Sequence, residues 1–290
     1  MPSSTNCILG QVAFSRPDMS RDGILETALK RDRTVVVGAI GLLVTLSALY
    51  TIAGVGMNMS AFEMTFGNGG SDMPGMGSMS TPMAWSLGKS VLIFLMWWVM
   101  MIAMMVPSAA PTILLFAAVL RRGNPSAPTP RRAVIFTAGY LLAWAFFSVV
   151  AAFTQWFLEM QGAVSQMGMM LTNSRIGAAV LLVAGVYQIS PWKQTCLSHC
   201  QSPAEHISRH FRPGNTGALR MGLYHGTYCL GCCAGLMALL FVGGIMNLYW
   251  IVGLAALVAL EKLWRHGLLA GKLAGVGLIL WGAAILAGLA

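Results

Sequence analysis

The segment HGTYCLGCC at 225–233 places one histidine and three cysteines within nine residues of an otherwise apolar run. On an α-helix, His225, Cys229, Cys232 and Cys233 fall at about 0°, 40°, 340° and 80°, a face about 100° wide. CLSHC at 196–200 repeats the pattern, with Cys196, His199 and Cys200 at i, i+3 and i+4. Together the two clusters offer five thiols and two imidazoles. Two or three thiolates suffice for a linear or trigonal Cu(I) site, whereas four donors suit tetrahedral zinc. These seven residues are therefore the predicted metal ligands, with Cu(I) the leading ion and zinc the alternative. A free cysteine is also an ordinary buried hydrophobe; five of them in two tight clusters, each with a histidine, are harder to explain by packing. The CLGC spacing at 229–232 is also that of a dithiol redox motif, which makes a thiol–disulfide carrier the competing chemistry.

Methionine supplies a second soft donor. Between residues 57 and 83 stand Met57, Met59, Met64, Met73, Met76, Met79 and Met83, spaced by Gly, Ser and Pro. A thioether needs no deprotonation and favours Cu(I) or Ag(I), so the segment reads as a metal-capturing loop. Further on, Met96, Met100 and Met104 recur every four residues along one helical stripe, with Met105 beside them and Pro107 and Pro111 within the same stripe. Each proline loosens the carbonyl four residues earlier. Methionines and freed carbonyls could form a path for a soft cation, although Met is equally a common packing residue.

The elements that must position these groups are membrane helices. The chain of 290 residues is 57% hydrophobic and 9% charged, with mean hydropathy +0.70; soluble domains carry about 25% charged residues. Apolar runs reach about 20 residues, enough to cross a bilayer as a helix. An all-α, polytopic transmembrane bundle of about seven spans (six to seven) is predicted: Val35–Gly56, Ser90–Leu120 interrupted by Pro107 and Pro111, Ala133–Leu158, a short and weak Arg175–Ser190, Leu219–Ile245, Leu248–Trp264 and Leu273–Ala290. The sequence GALRMG and the glycines of the last span suggest close helix packing.

Charge sets the orientation. Sixteen of the eighteen Lys and Arg residues fall in the N-terminal tail and in alternate connections, leaving Lys89 and Arg175 on the other side. The positive-inside rule then makes the N-terminus cytoplasmic. Residues 1–34 become a cytoplasmic tail and 35–290 the membrane domain, with the Met-rich loop 57–84 extracytoplasmic and the Cys/His loop 191–218 cytoplasmic. The first apolar stretch lacks a clear cleavage site and reads as a retained helix. A bacterial inner (cytoplasmic) membrane is the expected location. The net charge of +9 comes from helix ends, and no pattern for nucleic-acid binding accompanies it. Cys229 to Cys233 lie roughly 14–20 Å along the helix from Arg220, and Met104 and Met105 roughly 24–26 Å from Arg121. An inward ladder from Met loop to Met stripe to thiols to CLSHC requires the second and fifth helices to be neighbours.

Glu261, before Lys262, reads as a charge partner of Lys262 or Arg265 at a helix end, or as a proton acceptor. His206 and His210 are i, i+4 but lack a third donor and read as part of a solvated amphipathic segment. No P-loop is present, so an ATP-driven pump is excluded, and no catalytic constellation is assigned.

The segments WWVMMIAMMVPSAAP, CLSHCQSP, HGTYCLGCCAGLMALLFVGGIMNLYW and the EKL at 261–263 resemble a domain-of-unknown-function family of predicted metal-binding integral membrane proteins. Some of its members are labelled copper chaperones. The resemblance spans about residues 85–265. It implies a multi-helix membrane fold and metal binding, and it points to Cys196, Cys200, Cys229, Cys232 and Cys233. Ala234 stands where the family pattern leads one to expect a bulky aromatic, which leaves the thiols intact.

The leading expectation is an integral membrane protein that handles Cu(I) as chaperone, carrier or insertion factor. Its partners would be the lipid bilayer, the soft metal ion, and a metal-receiving membrane enzyme or soluble metallochaperone. The alternatives are a thiol–disulfide electron carrier using Cys229 and Cys232, and an accessory subunit of a membrane metalloenzyme.

Overall fold

The computed structural model describes residues 19–54, 61, 65, 85–123, 128–165, 169–202, 207 and 212–289, with side chains from residue 33 onward. Among these residues the fold is helical: α1 (Met19–Ala53), α2 (Leu87–Gly123), α3 (Thr129–Met160), α4 (Ser174–Ile189), α5 (Pro191–Gln201), α6 (Gly214–Ala238), α7 (Leu240–Gly243), α8 (Leu248–Leu263) and α9 (Gly267–Leu286). The only strand-like pairing is an isolated bridge between Val164 and Leu171. The Met-rich segment 57–84, His206 and His210 lie outside the described residues.

Among the described residues, five helices are long and apolar enough to cross a membrane: Arg33–Ala53 within α1, then α2, α3, α6 continued through α7 to Gly243, and α9. A sixth results if α4 and α5, bent by 60°, form one broken span. Two of the seven expected spans fall short. The fourth is the 16-residue α4, and the sixth is the 16-residue α8; about 20 residues are needed to cross the hydrocarbon core. Helix α1 begins at Met19, within the stretch read as a cytoplasmic tail. One further expectation needs correction. Helix α2 runs unbroken through Pro107 and Pro111; a proline costs a helix one hydrogen bond, and the surrounding helices tolerate that loss.

Local signals explain the breaks that shape the site. Pro191 ends α4, because a residue before proline is pushed out of the helical region, and it opens α5 at a first-turn position where no N–H is needed. Ser190 caps the new helix, its hydroxyl accepting from the Lys193 N–H at 3.3 Å. Residues 191–201, expected as a loop, are thus a helix packed on α6. At the tight connection before α8, Gly244 adopts φ 93°, which only glycine takes without strain, and Asn247 caps α8 by accepting from the Tyr249 N–H at 3.0 Å.

The most extensive packing joins α3 to α6, α4 to α9, α1 to α2 and α2 to α3. Glycine makes the α3–α6 contact close. A Cβ on Gly226 would stand 2.6 Å from the Ala143 Cβ, so a side chain there would force the helices apart. The core runs through Trp97, Met100, Met101, Met105, Phe116, Phe136, Tyr140 and Trp144. Facing outward are large apolar side chains, among them Leu42, Phe146, Phe153, Val183 and Leu280, each more than half exposed.

Candidate metal centre

Four thiols are buried where α5 meets α6: Cys200, Cys229, Cys232 and Cys233. The wheel spacing of His225, Cys229, Cys232 and Cys233 becomes one buried stripe of α6. The close α3–α6 approach brings Tyr140 onto that stripe. Cys200 arrives from α5, its sulfur 3.9 Å from that of Cys232, which in turn lies 3.3 Å from the Cys233 sulfur. A trigonal centre with metal–sulfur bonds of about 2.3 Å separates its sulfurs by about 4 Å. The Cys200–Cys232 spacing matches that value, and Cys232 and Cys233 would have to open by about 0.7 Å. The Cys232 thiol also donates to the Cys229 carbonyl at 3.1 Å.

Among the described residues no group of three or more His, Cys, Asp or Glu side chains is disposed to hold a metal ion as it stands. The engagement of Cys229 gives a physical reason. Its sulfur takes a hydrogen bond from the Lys262 amine at 2.9 Å and lies 3.1 Å from the Tyr140 hydroxyl. Lys262 also donates to the Ser108 hydroxyl at 3.2 Å. Both Ser108 and Tyr140 reach the Met105 carbonyl, at 2.9 and 3.3 Å. The backbones of α2 and α6, which the inward ladder requires to be neighbours, make almost no direct contact. Tyr140 from α3 and Lys262 from α8 join them instead.

The remaining predicted residues fall around this centre. Cys196 is half-buried against Gly231, where a Cβ would stand 2.7 Å from its sulfur; Tyr187 of α4 donates to the Gly231 carbonyl. His225 is buried beside the rings of Tyr140 and Phe136. His199 is turned away from the thiols, stacked on Tyr228 at 4.2 Å with its Nδ1 at 2.9 Å from the Thr195 carbonyl. Met96, Met100, Met104 and Met105 are buried in the core of α2, and Met105 is coupled to Cys229 through Tyr140. Met57, Met59, Met73, Met76 and Met79 lie outside the described residues.

Glu261 is not an exposed helix-end residue. It is buried and pairs with Lys193 of α5 at 2.6 Å, rather than with the adjacent Lys262, whose amine points to Ser108 and Cys229. Gln188 donates to the same carboxylate, and Gln201 donates to the Glu261 carbonyl at 2.7 Å. Successive residues of α8 thus serve two polar centres. At the other end of α3, Trp85 and Lys89 reach Glu159 at 3.1 and 3.4 Å, and Gln155 links Glu159 to Trp97. This network fastens the start of α2 to the end of α3.

Lys262, Lys193, Tyr140 and Ser108 are absent from the predicted site. The two lysines carried a usable signal, since an ionisable residue in an apolar helical run marks a partner or a function. Tyr140 carried none, standing among many aromatic residues of apolar helices.

A family model described as PpoB2, copper chaperone, matches residues 94–285. No curated protein and no solved structure matches the chain.

Proposed function

The chain belongs to the PpoB2 copper chaperone family, and from that premise we propose that it is an integral membrane protein that binds Cu(I) on the thiols between α5 and α6 and hands it on. The observation that carries this reading is the meeting of Cys200 with Cys232 and Cys233 across two helices. Soft, buried thiols in a water-poor core favour a soft monovalent cation over hard ions. Cys229, one turn before Cys232, completes the donor set, with Cys196 and His225 next to it and His199 at the margin. The bilayer reading is supported by the membrane-length helices and by the exposed apolar faces of α1, α3, α4 and α9, larger than a soluble monomer tolerates. In this reading the N-terminus and α5 face the cytoplasm of a bacterial inner membrane. The Met-rich loop 57–84 captures metal outside, and the α2 methionines lead toward the thiols. The recipient is a membrane metalloenzyme or a soluble metallochaperone.

The deciding experiment is metal content after purification under reducing, anaerobic conditions. Wild type should retain near-stoichiometric copper. Cys229→Ser/Cys232→Ser/Cys233→Ser should lose it, and Cys200→Ser should lower it. Zinc at the same level would keep the site and remove the copper assignment.

One observation favours a second reading. The 3.9 Å contact between Cys200 and Cys232 would suit a disulfide-cycling carrier, with that pair replacing Cys229 and Cys232 because the Cys229 sulfur is engaged by Lys262. A metal-free protein with a redox-titratable Cys200–Cys232 disulfide would promote it.

A further inference from the structure

The charges around the thiols add up to a selectivity device. Besides the thiols, the buried ionisable side chains of α5, α6 and α8 are Lys193, His225, Glu261 and Lys262; His225 is packed on the rings of Phe136 and Tyr140, and with its imidazole neutral the charge rests on the other three. Lys193 and Glu261 form an ion pair at 2.6 Å and cancel. Lys262 is left with the Ser108 hydroxyl and the Cys229 sulfur as its hydrogen-bond partners, at 3.2 and 2.9 Å. An ammonium taken out of water costs several kcal/mol unless a counter-charge stands beside it. The group at that place is a metal-ligating sulfur.

We infer that Lys262 is the resident counter-ion of the metal–thiolate complex and sets the site's preference for a monovalent cation held by two thiolates. The inference rests on the copper reading above. A Cu(I) or Ag(I) ion on two thiolates carries one negative charge, which the Lys262 ammonium neutralises. A divalent ion on the same two thiolates beside Lys262 leaves one uncompensated positive charge, and it reaches neutrality only by deprotonating a third buried thiol. Three thiolates on a monovalent ion leave one uncompensated negative charge. In an apolar core either imbalance is penalised. The neutral arrangement is one monovalent ion, Cys229 and one further thiolate from Cys200, Cys232 or Cys233, with the other thiols protonated. No atom of Lys262 binds the metal; it acts as a positioning and charge-setting residue through Cys229.

The test uses the full chain in detergent micelles, titrated anaerobically with Ag(I) and separately with Zn(II) against competing chelators. Wild type is compared with Lys262→Met and Lys262→Arg. Removing one partner of a buried charge pair should weaken Ag(I) binding by Lys262→Met roughly 30-fold or more, while Zn(II) binds no more weakly than to wild type. Lys262→Arg keeps the charge and should hold Ag(I) within roughly tenfold of wild type. Equal Ag(I) affinity in wild type and Lys262→Met overturns the inference and leaves the copper reading standing. A loss in Lys262→Arg as large as in Lys262→Met also overturns it, because charge would not be the cause. A wild type that binds neither Ag(I) nor Cu(I) overturns the copper reading itself. If Lys262→Met does not fold, X-ray absorption of Cu(I)-loaded wild type decides: two sulfurs per copper agree with the charge count, and three overturn it.

Discussion

Two lysines are buried side by side in this bundle, and they are satisfied in opposite ways. Lys193 meets a hard carboxylate, Glu261, at 2.6 Å, with Gln188 on the same carboxylate. Lys262, the residue after that glutamate, turns to the other side of α8 and donates to a soft sulfur at 2.9 Å. A carboxylate has nothing to exchange with a soft cation, so the first pair is a fixed staple between α5 and α8. A sulfur can bond an ammonium or a soft metal, so the second contact can be remodelled by the cargo. On the proposed reading, the pairing of a permanent bond with an exchangeable one on consecutive residues would hold α5 in place against α8 while the Cys229 sulfur of α6 changes partners.

The largest effect should come from breaking the staple. Glu261→Gln leaves the Lys193 ammonium buried without its counter-charge, and removing one member of a buried pair costs about 3–5 kcal/mol. Thermal unfolding in detergent should show that loss. The double variant Lys193→Met/Glu261→Gln should recover most of it, since no charge is then stranded. Copper bound per folded molecule should stay close to wild type in the double variant. If copper is lost there while the fold is kept, the two lysine centres are one functional unit and the contrast between them fails.

The stripe of His225, Cys229, Cys232 and Cys233 was legible in the sequence because a helix has a fixed period; once α6 forms, those residues must share a face. The approach of Cys200 was not, since it depends on the bend at Ser190–Pro191 and on the packing of α5 against α6. Pro191 announces a break but not its angle. Glu261 was read as a charge partner, but which cation it meets was not legible for the same reason: Lys193 reaches it only because α5 folds back and covers it. The expected contact of the second and fifth helices came from matching depths along separate helices, and depth says nothing about lateral order. Tyr140 and Lys262, which bridge those helices, become visible only with the tertiary arrangement. GALRMG and the glycines of the last helix did foreshadow close packing: a Cβ on Gly222 would collide with the Phe136 carbonyl, and one on Gly275 would stand 3.0 Å from the Gly185 carbonyl.

The two centres should also part company with pH. Metal must displace any protons on its thiolate ligands, so affinity falls as pH drops, by about tenfold per pH unit for each proton displaced. Ordinary thiols titrate near about 8.5 and ordinary glutamates near about 4.3, and burial pushes the Glu261 carboxyl up from that value while Lys193 opposes it. The staple therefore weakens before the pH reaches the ordinary glutamate range; close to neutrality, acidification should release copper while the Lys193–Glu261 staple and the fold persist. Chelator competition and thermal unfolding, measured on the same samples from pH 8 to pH 6 (about 0.5 to 2.5 units below the ordinary thiol value), check the separation. A pH-independent affinity would shift the metal to thioether ligands, which bind no proton. Unfolding in step with copper loss would mean that the thiols, rather than the staple, hold α5.

The smallest effect sharpens the soft centre alone. Tyr140→Phe removes the hydroxyl that lies 3.1 Å from the Cys229 sulfur and 3.3 Å from the Met105 carbonyl, and leaves the ring to pack against α6. A neutral hydrogen bond contributes about 1 kcal/mol net, so both the loss of stability and the change in Cu(I) affinity should stay within about a factor of ten. Ser108 still donates to the Met105 carbonyl at 2.9 Å, so no buried acceptor on α2 is orphaned. Lys262 still meets the sulfur, so the charge count is unchanged and the preference for Ag(I) over Zn(II) should match wild type. That pattern, a small loss of affinity without a change of preference, separates a hydroxyl that merely orients Cys229 from an ammonium that neutralises it. If Tyr140→Phe instead shifts the Ag(I)-to-Zn(II) ratio as far as Lys262→Met does, selectivity lies in the geometry of the Cys229 side chain, and the contrast between the two lysines loses its electrostatic meaning.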